Sequence, residues 1–240
     1  MSQPADAMQL SNCRPRYLES VSPISFPEEA ELPESQLHFE LRALLYQLLS
    51  DHLGLGTTVG SDQFVYFDAG DPSRSVAPDV YVRLQPRGEK IRSWKTWERG
   101  APEVAVEIVS ESDASELVWR RKLAGYQSVG VRELVRFDPN ASPSAQLRVW
   151  DRVDEMLQER VVIERSAPSS ILPVYWVVAE ADDHSSALRI ADTKLQLIPT
   201  AAEARQAEAK ARQAEAKARQ AAEARVQELE AELHRRDRNS

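Results

Sequence analysis

The chain has a single cysteine, Cys13. That excludes an internal disulfide and any zinc site built from several thiolates. Long apolar runs are missing too: nothing approaches the ~18 residues that a membrane-spanning helix needs. The first twenty residues lack the apolar centre of a signal peptide, so a cytoplasmic protein with no membrane partner is expected. Four histidines (38, 52, 184 and 234) are scattered, none pair at metal-ligand spacing, and core or surface roles are expected of them. Gly54-Leu55-Gly56 lacks the further glycines of a phosphate loop and reads as a helix stop. An excess of basic residues is absent as well. Net charge is −8, and from Thr200 onward nine Lys/Arg face eight Asp/Glu, which leaves −9 on residues 1–199. An acidic body has no long-range attraction for nucleic acid, which argues against a simple DNA-binding module. It argues less against a metal enzyme, because a bound dication reverses the local sign.

What is present is a 42% hydrophobic content over 240 residues, enough for one cored domain with an extension. Residues 1–22 mix Ser, Pro, Gln and Asn without periodicity and read as a flexible lead. Residues 23–33 are acidic and proline-punctuated, hence irregular. Leucines at 37, 41, 44, 45, 48 and 49 predict a core-facing helix over 36–53, closed by Gly54. Strands are expected at 63–67, 79–84, 104–109, 131–137, 146–150, 160–164, 174–178 and 194–198. A second helix is expected over 110–126. Between the second and third strands lies a charged connection, 87–100, whose Trp94 and Trp97 are expected to anchor it to the core. The order gives an α/β or α+β domain, residues 23–199, around a mixed sheet flanked by helices.

From Ala201 the composition changes. Arg-Gln-Ala-Glu-Ala-Lys-Ala occurs at 205–211 and again at 212–218. Alanines at 204, 207, 211, 214 and 218 follow the 3-4 spacing of a coiled-coil seam, and a 4-4 break at Ala222 and Val226 precedes Leu229 and Leu233. Residues 200–240 are therefore read as a long helical tail; joining of copies of the chain through residues 200–235 is expected, and a solitary solvated helix is the other reading.

The stretch 101–110 is apolar on both faces, as in a strand covered on both sides, yet Glu107 interrupts it. An ionised carboxylate there is costly to desolvate unless a cation or several donors meet it. Asp79 opens the preceding strand, and in an antiparallel pair the start of one strand lies beside the end of the next. In the following helix Lys122 falls in the apolar, sheet-facing arc with Val118, Trp119, Leu123 and Tyr126. Snorkelling of the lysine to solvent is one reading of that position; a lysine facing Glu107 is the other. Tyr126 reads most simply as a packing residue. Two acids that hold a hard divalent cation, with a nearby amine to position a water, form the minimal set for phosphodiester hydrolysis.

Several segments, taken in order, carry a resemblance: Ala-Pro-Asp-Val-Tyr-Val (77–82), Trp-Lys-Thr-Trp-Glu-Arg-Gly-Ala-Pro-Glu-Val-Ala-Val-Glu-Ile-Val-Ser-Glu-Ser (94–112), Lys122 with Tyr126, and Val-Arg-Glu-Leu-Val-Arg-Phe-Asp-Pro (131–139). Together with Glu34 and His38 before and within the first helix, they resemble the Uma-two family of the PD-(D/E)XK nuclease superfamily, over roughly residues 23–198. The resemblance implies a restriction-endonuclease-like fold and Mg²⁺- or Mn²⁺-dependent hydrolysis of DNA. It implies Asp79 and Glu107 as metal ligands. The superfamily's lysine position after the acid holds Val109 here, so Lys122 is the matching amine. Glu34 and His38 are implied as supporting residues. A basic surface of Arg87, Lys90, Arg92, Lys95 and Arg99 is the expected approach for DNA. The alternative is an inactive nuclease-fold binding module assembled through its tail.

Overall fold

A computed structural model of the chain describes residues 24–26, 35–86, 88, 91–110 and 115–238. The lead at 1–22, together with Glu34, Arg87 and Lys90, lies outside the described residues. The first helix, α1 (Gln36–Leu53), has the predicted bounds. Ser35 caps it by accepting from the His38 N–H, and Gly54 ends it at φ 65°, a backbone conformation that disfavours any side chain. Leu41, Leu45, Leu48 and Leu49 form its buried stripe.

Six strands make the central sheet: β1 (Thr58–Ser61), β4 (Val80–Arg83), β6 (Val104–Ile108), β7 (Glu133–Phe137), β8 (Leu147–Val153) and β9 (Met156–Arg160), in the order β1-β4-β6-β7-β8-β9. β4 and β6 are antiparallel and β6 and β7 parallel, so the sheet is mixed. Every residue of β6 is buried. Its even-numbered side chains, Val104, Val106 and Ile108, join α1 and a second sheet made of β10 (Ser166–Pro168), β11 (Tyr175–Ala181) and β12 (His184–Ala191). On the other face Ala105 packs with Tyr81, Trp94, Trp119 and Tyr126. That layer holds α3 (Glu116–Val129) and a small sheet of β2 (Val65–Tyr66), β3 (Ser75–Val76) and β5 (Trp94–Lys95). A short helix, α2 (Thr96–Arg99), follows β5, and α4 (Ala201–Arg238) is the tail.

Several expectations need correction. The second helix starts at Glu116, capped by Ser115, not at Ser110, and it runs on to Val129. The strand placed at 160–164 lies earlier, as β9, and the one at 194–198 forms only a single bridge from Leu197 to Ala191. β12 takes its place, turned back on β11 through Asp182 at φ 50°. Edge strand β1 was not anticipated. Its Gly60 lies under the Tyr81 ring, where a Cβ would meet ring carbons at 2.0–2.3 Å. Trp94 is a core anchor whose Nε1 donates to the Gly100 carbonyl at 2.8 Å, but Trp97 is exposed.

A buried carboxylate ties the second sheet to the first. Glu133 on β7 has no exposed surface and accepts from Trp176 Nε1 (2.7 Å), Arg160 Nη2 (3.1 Å), the Ser170 N–H (3.1 Å) and the Ser169 hydroxyl. Burial raises its pKa, and this ring of donors opposes the rise. Glu133→Ala strands those donors in the core. A loss of about 3 kcal/mol is expected in urea unfolding, and a change within error would contradict the tie.

Candidate active site

The site forms where β4 begins and β6 ends. The register Val80↔Val106 sets Asp79, the residue before β4, abreast of Glu107 on β6. Asp79 Oδ2 accepts from the Ile108 N–H at 2.6 Å, which fixes its carboxylate against the strand carrying Glu107. Its carbonyl accepts from the Ser61 hydroxyl at 2.7 Å, and Ser61 in turn accepts from Arg42 Nη1 at 3.2 Å. Edge strand β1 thus holds Asp79 from behind.

Helix α3 covers Glu107. Gly125 lets it lie close to the small sheet, since a Cβ there would stand 2.8 Å from Val76 Cγ1. Lys122 and Tyr126, one turn apart, share the face this approach presents. Lys122 Nζ donates to Glu107 Oε2 at 2.7 Å, and the Tyr126 hydroxyl donates to Oε1. Of the two readings of Lys122, the structure has the lysine facing Glu107. Tyr126 is corrected: it is buried and packed, but it also binds the acid. Its spacing four residues after Lys122 was the available signal.

His38 arrives from the first turn of α1. Its Nε2 lies 2.9 Å from the Ile108 carbonyl and 3.2 Å from Asp79 Oδ1. A carbonyl only accepts, so Nε2 carries the proton in this contact and acts as a donor, not as a metal ligand. Of the five candidates, Asp79, Glu107, Lys122 and His38 therefore meet in one place. Glu34 lies outside the described residues.

A sequence profile for one protein family, described as "Putative restriction endonuclease", matches residues 28–200. The chain belongs to this Uma2 (Uma-two) family. A solved structure from Anabaena variabilis, titled as a putative nuclease belonging to DUF820, is similar at 16% identity and a TM-score of 0.40, over 62% of this chain and 76% of that one. No curated protein matches the chain.

In this Uma2 chain the donor set suits a hard cation. Two carboxylates offer oxygen ligands, and each oxygen already in a hydrogen bond keeps a second lone pair. Among the described residues no group of three or more His, Cys, Asp or Glu is arranged for a metal, so the fit is to an ion that retains several waters. Of the expected basic surface, Arg87 and Lys90 lie outside the described residues. Lys95 lies 3.7 Å from Glu98, and Arg99 stacks over Trp94 at 5.9 Å. Arg99 also lines a groove of about 440 Å³ along β1 that reaches Ser61, the residue bonded to Asp79.

Burial pushes the Glu107 carboxyl up to about 7; Lys122 opposes the rise and the neighbouring Asp79 charge adds to it. A carboxyl whose folded pKa exceeds its ordinary value of 4.5 stabilises the fold below that value, and the contribution is lost as pH rises through 7. Glu107→Gln keeps the shape and removes the titration. The variant is expected to lose less stability between pH 5 and pH 8 than the wild type. At pH 8 it should be the more stable by on the order of 1–3 kcal/mol. Parallel pH profiles in urea unfolding would contradict the raised carboxyl.

Proposed function

We propose that the chain is a divalent-cation-dependent endonuclease that hydrolyses phosphodiester bonds in DNA. Membership of a restriction-endonuclease family supports the reaction class. One observation carries the assignment of residues: the ion pair of Lys122 with Glu107, on a strand end that also bonds the Asp79 carboxylate. Bound Mg²⁺ or Mn²⁺ supplies charge to polarise the scissile phosphate and to acidify a water. Asp79 and Glu107 would hold it. Lys122, with 30% of its side chain exposed, donates from Nζ to Glu107 at 2.7 Å and would orient the attacking water. Tyr126 and the Ile108 N–H keep the two carboxylates from turning away, and His38 bridges Asp79 to the β6 backbone.

The tail adds assembly to this function. Val226, Leu229 and Leu233 of α4 are exposed, and a seam of that kind is covered when two copies meet. Self-association through residues 200–235 is the reading we adopt.

Supercoiled DNA with and without Mg²⁺ or Mn²⁺ tests the catalytic claim. Nicking should require the cation and vanish in Asp79→Ala and Glu107→Ala, while Lys122→Ala should slow it by roughly 10²-fold or more. Cleavage that persists in both acid variants would falsify the assignment. No turnover with either cation would favour a nuclease-fold binding module instead.

A further inference from the structure

Helix α4 leaves the body on a rigid footing. Thr200 and Glu203 cap it reciprocally: the Glu203 N–H donates to Thr200 Oγ1 (3.0 Å) and the Thr200 N–H to Glu203 Oε2 (2.9 Å). Buried Arg189 grips the same carboxylate with both terminal nitrogens, at 2.8 and 2.6 Å, and the same two nitrogens also donate to the Glu180 and Ile198 carbonyls. The tail therefore continues the body, not as a loose tether. From Ala204 on, each residue whose side chain is described is exposed.

Charges flank the apolar seam in a regular way. Glu208, Glu215, Glu223 and Glu230 each directly follow a seam residue (Ala207, Ala214, Ala222, Leu229). Lys210, Lys217 and Arg225 each directly precede one (Ala211, Ala218, Val226), while Glu203 before Ala204 and Glu232 before Leu233 depart from the pattern. These are the e and g positions that set partner and orientation in a coiled coil. In an antiparallel pair, preceding positions meet preceding positions and following meet following, so cations oppose cations and glutamates oppose glutamates. In a parallel, in-register pair a preceding position meets the residue five on, which sets Lys217 against Ala222 in the break and Glu203, already held by Arg189, against Glu208. Lys210 then faces Glu215 of the partner subunit, and Arg225 faces Glu230 of the partner subunit. Within the helix, Arg212, Arg219 and Arg225 are already paired with Glu208, Glu223 and Glu228. Among the described residues, Lys210, Glu215 and Glu230 have no such ion pair.

We propose that α4 is a docking face for a second copy of this chain, parallel and in register, so that two bodies stand at one end of the coil. The proposal rests on the self-association reading above and is independent of whether the site is catalytic.

The test uses the full chain with Cys13→Ser, carrying either Ala207→Cys or Ala222→Cys. These positions lie fifteen residues apart, about 22 Å along the helix, so no single antiparallel alignment sets both against themselves. Mild oxidation should crosslink each variant with itself, and light scattering should give a dimer mass. Crosslinking confined to a mixture of the two variants, or to one variant alone, would overturn the parallel register and leave self-association standing. A monomer mass would overturn both. In a second arm, Lys210→Glu with Arg225→Glu should weaken the dimer at least tenfold. Adding Glu215→Lys and Glu230→Lys should restore it. Failure to restore would overturn the pairing.

Discussion

The molecule is arranged around the desolvated carboxylate of Glu107. A charge on the inner strand of a covered sheet is tolerated only where donors surround it. The fold brings those donors from separate parts of the chain. Helix α3 contributes Lys122 and Tyr126 from one face, one turn apart. The antiparallel β4 brings Asp79 alongside, which adds negative charge where there was already too much. Burial and the Asp79 charge together raise the Glu107 carboxyl, and Lys122 and Tyr126 oppose them.

A second buried acid makes the contrast plain. Glu133 lies one strand away and is more deeply buried than Glu107, but four donors from Arg160, Trp176, Ser169 and Ser170 satisfy it. Asp151 stands opposite it on β8 and adds to its raised pKa, the smallest of the causes. Its part is to join two sheets. Burial alone therefore does not tell the two acids apart; they differ in their donors, four for Glu133 against one lysine and one tyrosine for Glu107.

Much of this was legible in the residues. The leucine spacing gave α1 its bounds, and the doubly apolar run with one acid in it marked β6. Lys122 stood out because a cation in the sheet-facing arc of a helix needs a reason. Other features left weaker traces. Tyr126 looks like any core aromatic until its helical neighbour is known to reach Glu107. His38 was implied only by resemblance, because the contact spans seventy residues of chain and depends on how α1 crosses the sheet. β1 was hidden by Gly60, whose lack of a side chain weakens strand propensity but is what the Tyr81 ring requires. β12 was missed because its start is polar, and its pairing with β11 rests on an Asp-Asp turn. Trp97 was judged by type; its neighbour Trp94 took the core position.

The central claim is that Glu107 gives up a proton when a dication joins it and Asp79. Calorimetric titration of the DNA-free protein with Mn²⁺ at pH 6.5, in two buffers of different ionisation enthalpy, measures that directly. The wild type should release roughly 0.5–1 proton per ion bound, and Glu107→Gln should bind more weakly with no release. Equal affinity and an equal proton count in the two proteins would contradict the account.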